Sequence, residues 1–454
     1  MFAYDADAGL MWFGVNGTWN DNADPATGTN SDWTSLPTTG LAPFAGTYNS
    51  IIKIDCNFGQ KPFKYAPPDG FQPINGANVR PETVIARPDQ YVGIVTYTGD
   101  GNSPRKISGY NFAPDLIWYK QRNSARDNQL YDTVRGSGSN KNLSSNTTYS
   151  ETANDDELYG YTSAFNDNGF TVTTGSSNFN YANASSSTYV AWAWKAGGSK
   201  NTFNVDDVGY ASAAAAGLTA GDITPTGASV GTKQGFSIIR WTAPTWNGSP
   251  QQVPHGLTQS PSFIIAKVIN DTASWYCYHK DLDASNPQNK YLTLNSNGAV
   301  GTLANGWGTS APNSTTFGDR QLGWSDGKNV ISYIWHDVPG LQKFGTYEAN
   351  GSTDGPYVEL GFTPAVLMLK NYDDTEHWYV YDPERSPHNV AYQSLRWSHS
   401  GIEENGTTNT RVDLLSSGFK LRQTNGPNNS NSYIYAAWAA APSVDLFGGG
   451  ANAR

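Results

Sequence analysis

Five kinds of segment recur in the same order three times along the chain, at a spacing of roughly 110 to 140 residues. Each set opens with an aromatic run beside Gly or Asn: Gly93–Asn102, Gly235–Trp241 and Phe344–Gly351. A Pro and an apolar stretch ending in Lys come next: Pro114–Lys120, Pro261–Lys267 and Pro364–Lys370. A Trp/Tyr segment follows: Asp127–Asp132, Ser274–His279 and His377–Asp382. A Ser/Thr/Asn-rich section then carries one Phe (Phe170, Phe317, Phe419), and an aromatic run closes each set: Tyr189–Trp194, Val330–Trp335 and Tyr433–Trp438. A chain built this way must fold as three similar units.

The residue types inside the sets decide the fold class. Tyr, Trp, Val and Ile suit a pleated, half-buried surface, and Asn-Gly pairs such as Asn297-Gly298 and Asn350-Gly351 supply turns that need positive φ. Helical periodicity is nearly absent; only Ala211–Ala220 predicts a short helix. The expectation is an all-β chain of tandem antiparallel β-sandwich, jelly-roll-like domains with little helix. Aromatics make up 13% of the 454 residues, which gives ample material for cores and rules out disorder. Charged residues are only 15%, against the usual quarter or so, and the net charge is −10. That balance argues against a nucleic-acid partner, which needs clustered Lys and Arg.

The predicted boundaries follow from the sets. Sandwich repeats are expected at 91–198, 234–342 and 343–442, with a Gly/Ala/Thr-rich linker or insertion at 199–233 and a tail at 443–454. Residues 77–90 form a Pro-rich connection. Residues 1–76 do not fit the repeat: Leu10–Val15 reads as a strand turned by Asn16-Gly17.

Two family resemblances go beyond this pattern. Asp5, Gly9, Phe13 and Asn16-Gly17, together with Asn57-Phe-Gly-Gln-Lys-Pro-Phe63, resemble the C-terminal half of a SPRY domain. That implies a partial sandwich with an exposed apolar face, so the chain is expected to begin inside a longer polypeptide, or a partner chain covers that face. The repeats resemble a domain of tail-fibre proteins from marine and cyanobacterial phages. The likeness rests on Tyr97–Asn102, Phe112–Lys120, Arg135-Gly136, Tyr189–Gly198, Gly351–Val358, Gly361–Pro364 and the closing Leu446–Arg454. The second repeat departs most: it keeps His255–Pro261 but loses the Trp pair at its end. This resemblance implies a virion protein that mediates attachment to the host cell surface. Its expected partners are further copies of the chain (a homotrimer), other virion tail proteins, and a host glycan or protein receptor.

The residues themselves suggest binding rather than catalysis. The local acid clusters, Asp155-Asp156-Glu157, Asp373-Asp374-Thr-Glu376 and Glu403-Glu404, lie in turn-like stretches and read as solvated loop charge. The six His are scattered; His377, His388 and His399 do not have zinc spacing. Cys56 and Cys277 form no CxxC pair and read as buried small hydrophobes. No enzymatic activity, metal ligand set or cofactor is therefore expected. Aromatic faces bind sugars by stacking, and Trp246, Trp307, Trp324, Trp378 and Trp397 stand beside Gly, Asn or Ser as candidate glycan contacts. No apolar run is long enough to span a membrane. The competing functions are a polysaccharide-degrading tailspike and a cellular, extracellular lectin-like adhesin.

Overall fold

The computed structural model describes residues 1–37, 54–58, 61, 63–73, 85–153, 156–178, 181–319, 327–405 and 411–442. It divides into two units, Met1–Pro81 and Glu82–Arg454. Strands dominate; among the described residues the α-helix is limited to the single turn Asp156–Tyr159.

The first unit holds a three-stranded antiparallel sheet of Phe2–Asp5, Leu10–Val15 and Thr18–Trp19. Asn16 (φ 50°) and Gly17 (φ 88°) make the turn of its second hairpin, a conformation these two residues adopt at little cost. Pairing Ala3 with Trp12 and Phe2 with Phe13 puts the two pairs on opposite faces. Trp12 and Ala3 are buried with Ala23, beside Leu10, Trp19 and Phe71. Phe13, Val15 and Trp33 remain exposed. The described residues of the segment Asn57–Phe63, likened above to part of a SPRY domain, are in no strand.

In the second unit every recurring segment is a strand, and the three sets share one sheet order. The opening, closing, apolar and Trp/Tyr strands lie side by side in that sequence. They are Val92–Thr98, Thr188–Trp194, Leu116–Gln121 and Gln129–Asp132 in the first repeat. The second repeat has Phe236–Thr242, Asn329–Trp335, Phe263–Val268 and Tyr276–His279, and the third Gln342–Glu348, Ser432–Pro442, Phe362–Asn371 and Tyr379–Tyr381. The second of these sheets grows to nine strands, because Phe203–Val205, Val208–Tyr210 and Gly227–Gly231 from the 199–233 segment add to one edge, and Lys290–Thr293 and Gly301–Thr302 to the other. The expected helix at 211–220 is instead a turn ended by Gly217 at φ 75°. One turn does not repay helix nucleation. The Phe of each repeat lies in a separate small sheet, at Gly169–Thr173, Thr316–Asp319 and Gly418–Leu421.

The large sheets are apolar on both faces, and the period of two sorts their side chains into different cores. In Thr188–Trp194, Ala191 and Ala193 pack with Phe170 of the small sheet, while Val190, Trp192 and Trp194 face the other way. The same alternation splits Ile334 from Tyr333 and Trp335, and Tyr435 from Ala436 and Trp438. The inward faces of all three repeats meet in one shared core.

Register stacks that shared core in layers. Leu116 pairs with Trp194, Phe263 with Trp335 and Val366 with Trp438. The Trp194 and Trp438 rings lie 5.4 Å apart and those of Trp335 and Trp438 5.8 Å, edge to face. The next layer holds Trp118–Trp192, Ile265–Tyr333 and Met368–Ala436, and the last Lys120–Val190, Lys267–Ile331 and Lys370–Ile434. Each fully buried large side chain contributes on the order of 3 kcal/mol, so the three repeats hold one another folded.

The seams between repeats are built alike. Glu151 N donates to the Ile269 carbonyl (2.9 Å), Val300 N to that of Tyr372 (2.9 Å) and Glu403 N to that of Arg122 (2.8 Å). These bonds join the first repeat to the second, the second to the third, and the third back to the first. The repeats thus form a closed ring within one unit.

Candidate functional site

The aromatic residues singled out for sugar binding do not come together on a surface. Trp307, Trp378 and Trp397 are fully buried. The Trp307 indole donates to the Lys290 carbonyl at 3.0 Å, and the Trp397 ring stacks on Trp118 at 4.0 Å. A sugar needs an open ring face, and these three have none. Trp246 is half-buried, and Trp324 lies outside the described residues. Trp378 and Trp397 lie in segments that pack across a seam: Trp378 Nε1 donates to the Thr293 carbonyl (3.2 Å), and the Trp397 carbonyl accepts from Ser145 Oγ (2.6 Å).

The seams gather a recurring set of buried polar groups. The strand-ending lysines Lys120, Lys267 and Lys370 are fully buried. Each crosses a seam: Lys120 Nζ donates to the Ser400 carbonyl (2.9 Å), Lys267 Nζ to Thr148 (3.3 Å) and Lys370 Nζ to Asn297 (3.3 Å). Arg126, Val268 and Asn371 supply a second carbonyl to each. Burial pushes the amines down, to about 7 for Lys120 and Lys267 and about 8 for Lys370.

A second layer of donors follows the same cycle. The Trp275 indole donates to the Ser144 carbonyl (3.0 Å) and that of Trp378 to Thr293 (3.2 Å). In the first repeat Asn128 stands at this position, and its amide donates to the Arg396 carbonyl (3.4 Å).

Two seams also bury an ionic cluster. Arg135 pairs with Asp132 (2.5 Å) and Glu151 (3.4 Å), and Arg385 with Asp382 (2.5 Å) and Glu403 (3.1 Å). Each Asp also accepts a bond from the next repeat round the ring: Tyr333 Oη to Asp132 (2.8 Å), and Trp192 Nε1 to Asp382 (3.0 Å). At the corresponding positions the second repeat has His279, Leu282 and Val300, and the register position that holds Trp192 or Tyr333 elsewhere holds Ala436 in the third repeat. Acid, base and cross-seam donor are absent together, which leaves no charge unpaired. His279 is buried, and desolvation holds its imidazole down at about 3, so it is neutral.

Several acids expected to be solvated are structural instead. Glu403 also binds Arg122 (2.8 Å), and Glu376 accepts from Tyr433 Oη (2.6 Å). Glu404 pairs with Arg396. Asp155 and the side chain of Asp156 lie outside the described residues. The His377 and His399 rings are 5.0 Å apart, with His377 Nδ1 against Ser398 Oγ (2.8 Å). Among the described residues no group of three or more His, Cys, Asp or Glu could hold a metal ion. Cys277 is buried, but Cys56 is exposed, contrary to the sequence reading.

Sequence reasoning missed the role of the lysines, although their recurrence at the end of each apolar strand was visible. The spacing of Asp132-x-x-Arg135 and Asp382-x-x-Arg385 was a further signal.

The family described as "Domain of unknown function (DUF7483)" matches residues 87–442. No curated protein matches the chain.

Proposed function

The chain belongs to the DUF7483 family, and from that premise we propose that it is a structural and adhesive component of a phage tail fibre. In this reading each repeat is a jelly-roll-like β-sandwich, its large sheet facing the small one across the aromatic layer that includes Phe170, Phe317 or Phe419. The observation that carries the proposal is the closed ring. Three repeats that share one Trp-rich core make a rigid body whose outer loops are free to meet a surface. Such a body serves attachment and load-bearing. The likeness of the repeats to tail-fibre domains supplies the setting, with copies of the chain side by side in the fibre and a host glycan or protein as receptor. Weak contacts repeated on several copies gain avidity without strong single sites.

Two observations on purified virions test this. Antibody against the chain should label the tail tip in electron micrographs, and the fluorescently tagged chain should bind host cells. Label confined to host cells, with none on particles, would favour the cellular adhesin instead.

A further inference from the structure

One further position differs among all three repeats. The residue after the Pro that opens each apolar strand is Asp115 in the first repeat, Ser262 in the second and Ala365 in the third. Asp115 is 2% exposed. Its carboxylate accepts from Thr133 Oγ1 (2.9 Å), Ala196 N (2.8 Å) and Gly198 N (3.1 Å). Burying a carboxylate is costly, and desolvation pushes this one up to about 6. The bonds from Ala196 and Gly198 fix the end of the first repeat where the 199–233 segment leaves it.

A pocket of about 190 Å³ opens where they meet. Pro114 and Asp115 line it from the apolar strand, Phe165, Asn166 and Asp167 from a neighbouring hairpin, and Ser199 and Lys200 from the inserted segment. The insertion occurs only once in the ring, so Ser199 and Lys200 have no equivalent in the other repeats.

The lining sets the ligand class. Phe165 and Pro114 offer an apolar patch. Asp167, Ser199 and Lys200 have side chains with no partner among the described residues, so acceptors and donors are both available. An apolar ligand would leave them unpaired. A phosphate would meet Asp115, Asp167 and Asp207 with Lys200 as the free cation, because Lys195 is already paired with Asp207 (2.8 Å). A hydroxyl both gives and accepts and suits this mixture. The volume is below the roughly 300–1,000 Å³ of pockets for drug-sized ligands, so one ring fits. We propose that this pocket binds a single neutral pyranose, with Phe165 against its apolar face and Asp167, Ser199 and Lys200 on its hydroxyls.

The proposal rests on the adhesive reading above, and its test separates the two. Saturation-transfer NMR would be run on the full chain with methyl glycosides of glucose, galactose and mannose, beside a host-cell binding assay. At least one glycoside should receive saturation. Asp167→Ala and Lys200→Ala, both at exposed positions, should each weaken it about tenfold with the melting temperature unchanged. No transfer from any of the three, or equal transfer in the double variant, overturns the pocket. Cell binding without glycoside transfer overturns the pocket and keeps the adhesive reading; glycoside transfer without cell binding keeps the pocket and overturns adhesion.

Discussion

The Tyr333 hydroxyl donates a 2.8 Å hydrogen bond to Asp132, from the closing strand of the second repeat to the Trp/Tyr strand of the first. Both groups are fully buried, and Asp132 also holds Arg135. Hydrogen bonds to buried charged groups are worth more than neutral ones. Tyr333→Phe should therefore lower stability by about 2 kcal/mol, read as a drop in denaturant midpoint with an unchanged slope.

The second repeat shows what an apolar version of the same seam looks like. Arg135→Leu alone strands Asp132 and Glu151 in the core and should cost about 3–5 kcal/mol. The triple change Asp132→His, Arg135→Leu and Glu151→Val copies His279, Leu282 and Val300. It should cost less than the single change. Urea denaturation of the two variants side by side decides this; a triple variant weaker than Arg135→Leu would contradict the account.

These relationships explain how much of the molecule could be read from its sequence. The five recurring segments were legible as strands, because period-two burial and turn residues are local signals. The order of the strands, with the closing strand between opening and apolar ones, was not. Nor was the ring: Lys120 meets Ser400, and Arg122 meets Glu403, across most of the chain. Trp378 and Trp397 stand in polar company along the chain, and only the seam reveals that they are core. The pocket depends on Asp115 and the inserted segment meeting, and one sequence does not disclose that contact.

The buried lysines predict a pH dependence with a definite sign. Their amines are held near 7 to 8 in the folded chain, against 10.5 when free. Between those values the unfolded chain binds protons that the folded chain does not, so stability rises with pH. The nearby charges that raise these amines are Asp127 for Lys120, Asp271 for Lys267, and Glu376 and Asp374 for Lys370; Arg126 and Arg135 oppose. The rise ends near pH ~10, where buried tyrosines such as Tyr110 and Tyr347, held protonated by desolvation, begin to favour the unfolded chain. Lys267→Met should flatten the rise in melting temperature between about pH 7 and 10; an unchanged slope would contradict it.

The cysteines should differ in reactivity. Cys277 is fully buried and desolvation raises its thiol, whereas Cys56 is exposed. The thiolate is the reactive form. An aromatic disulfide reagent should modify one thiol quickly in the native chain and the second only on unfolding. Rapid reaction of both would place Cys277 at a surface.

Sharing one core should make the repeats unfold together. Trp438 touches the indoles of Trp194, Trp335 and Trp397 and so belongs to all three repeats' interior. Trp438→Ala should cost about 4 kcal/mol and shift a single calorimetric transition of the Glu82–Arg454 unit, where independent repeats would lose only one of several.

The ring itself is tested most directly by the contact between Trp194 and Trp438, whose ring centroids lie 5.4 Å apart though the residues belong to the first and third repeats. In a deuterated chain protonated only at Trp, the indole protons of these two residues should show a mutual nuclear Overhauser effect, assigned by its loss in Trp194→Phe. Two resolved indole signals with no cross-peak between them would contradict the closed ring.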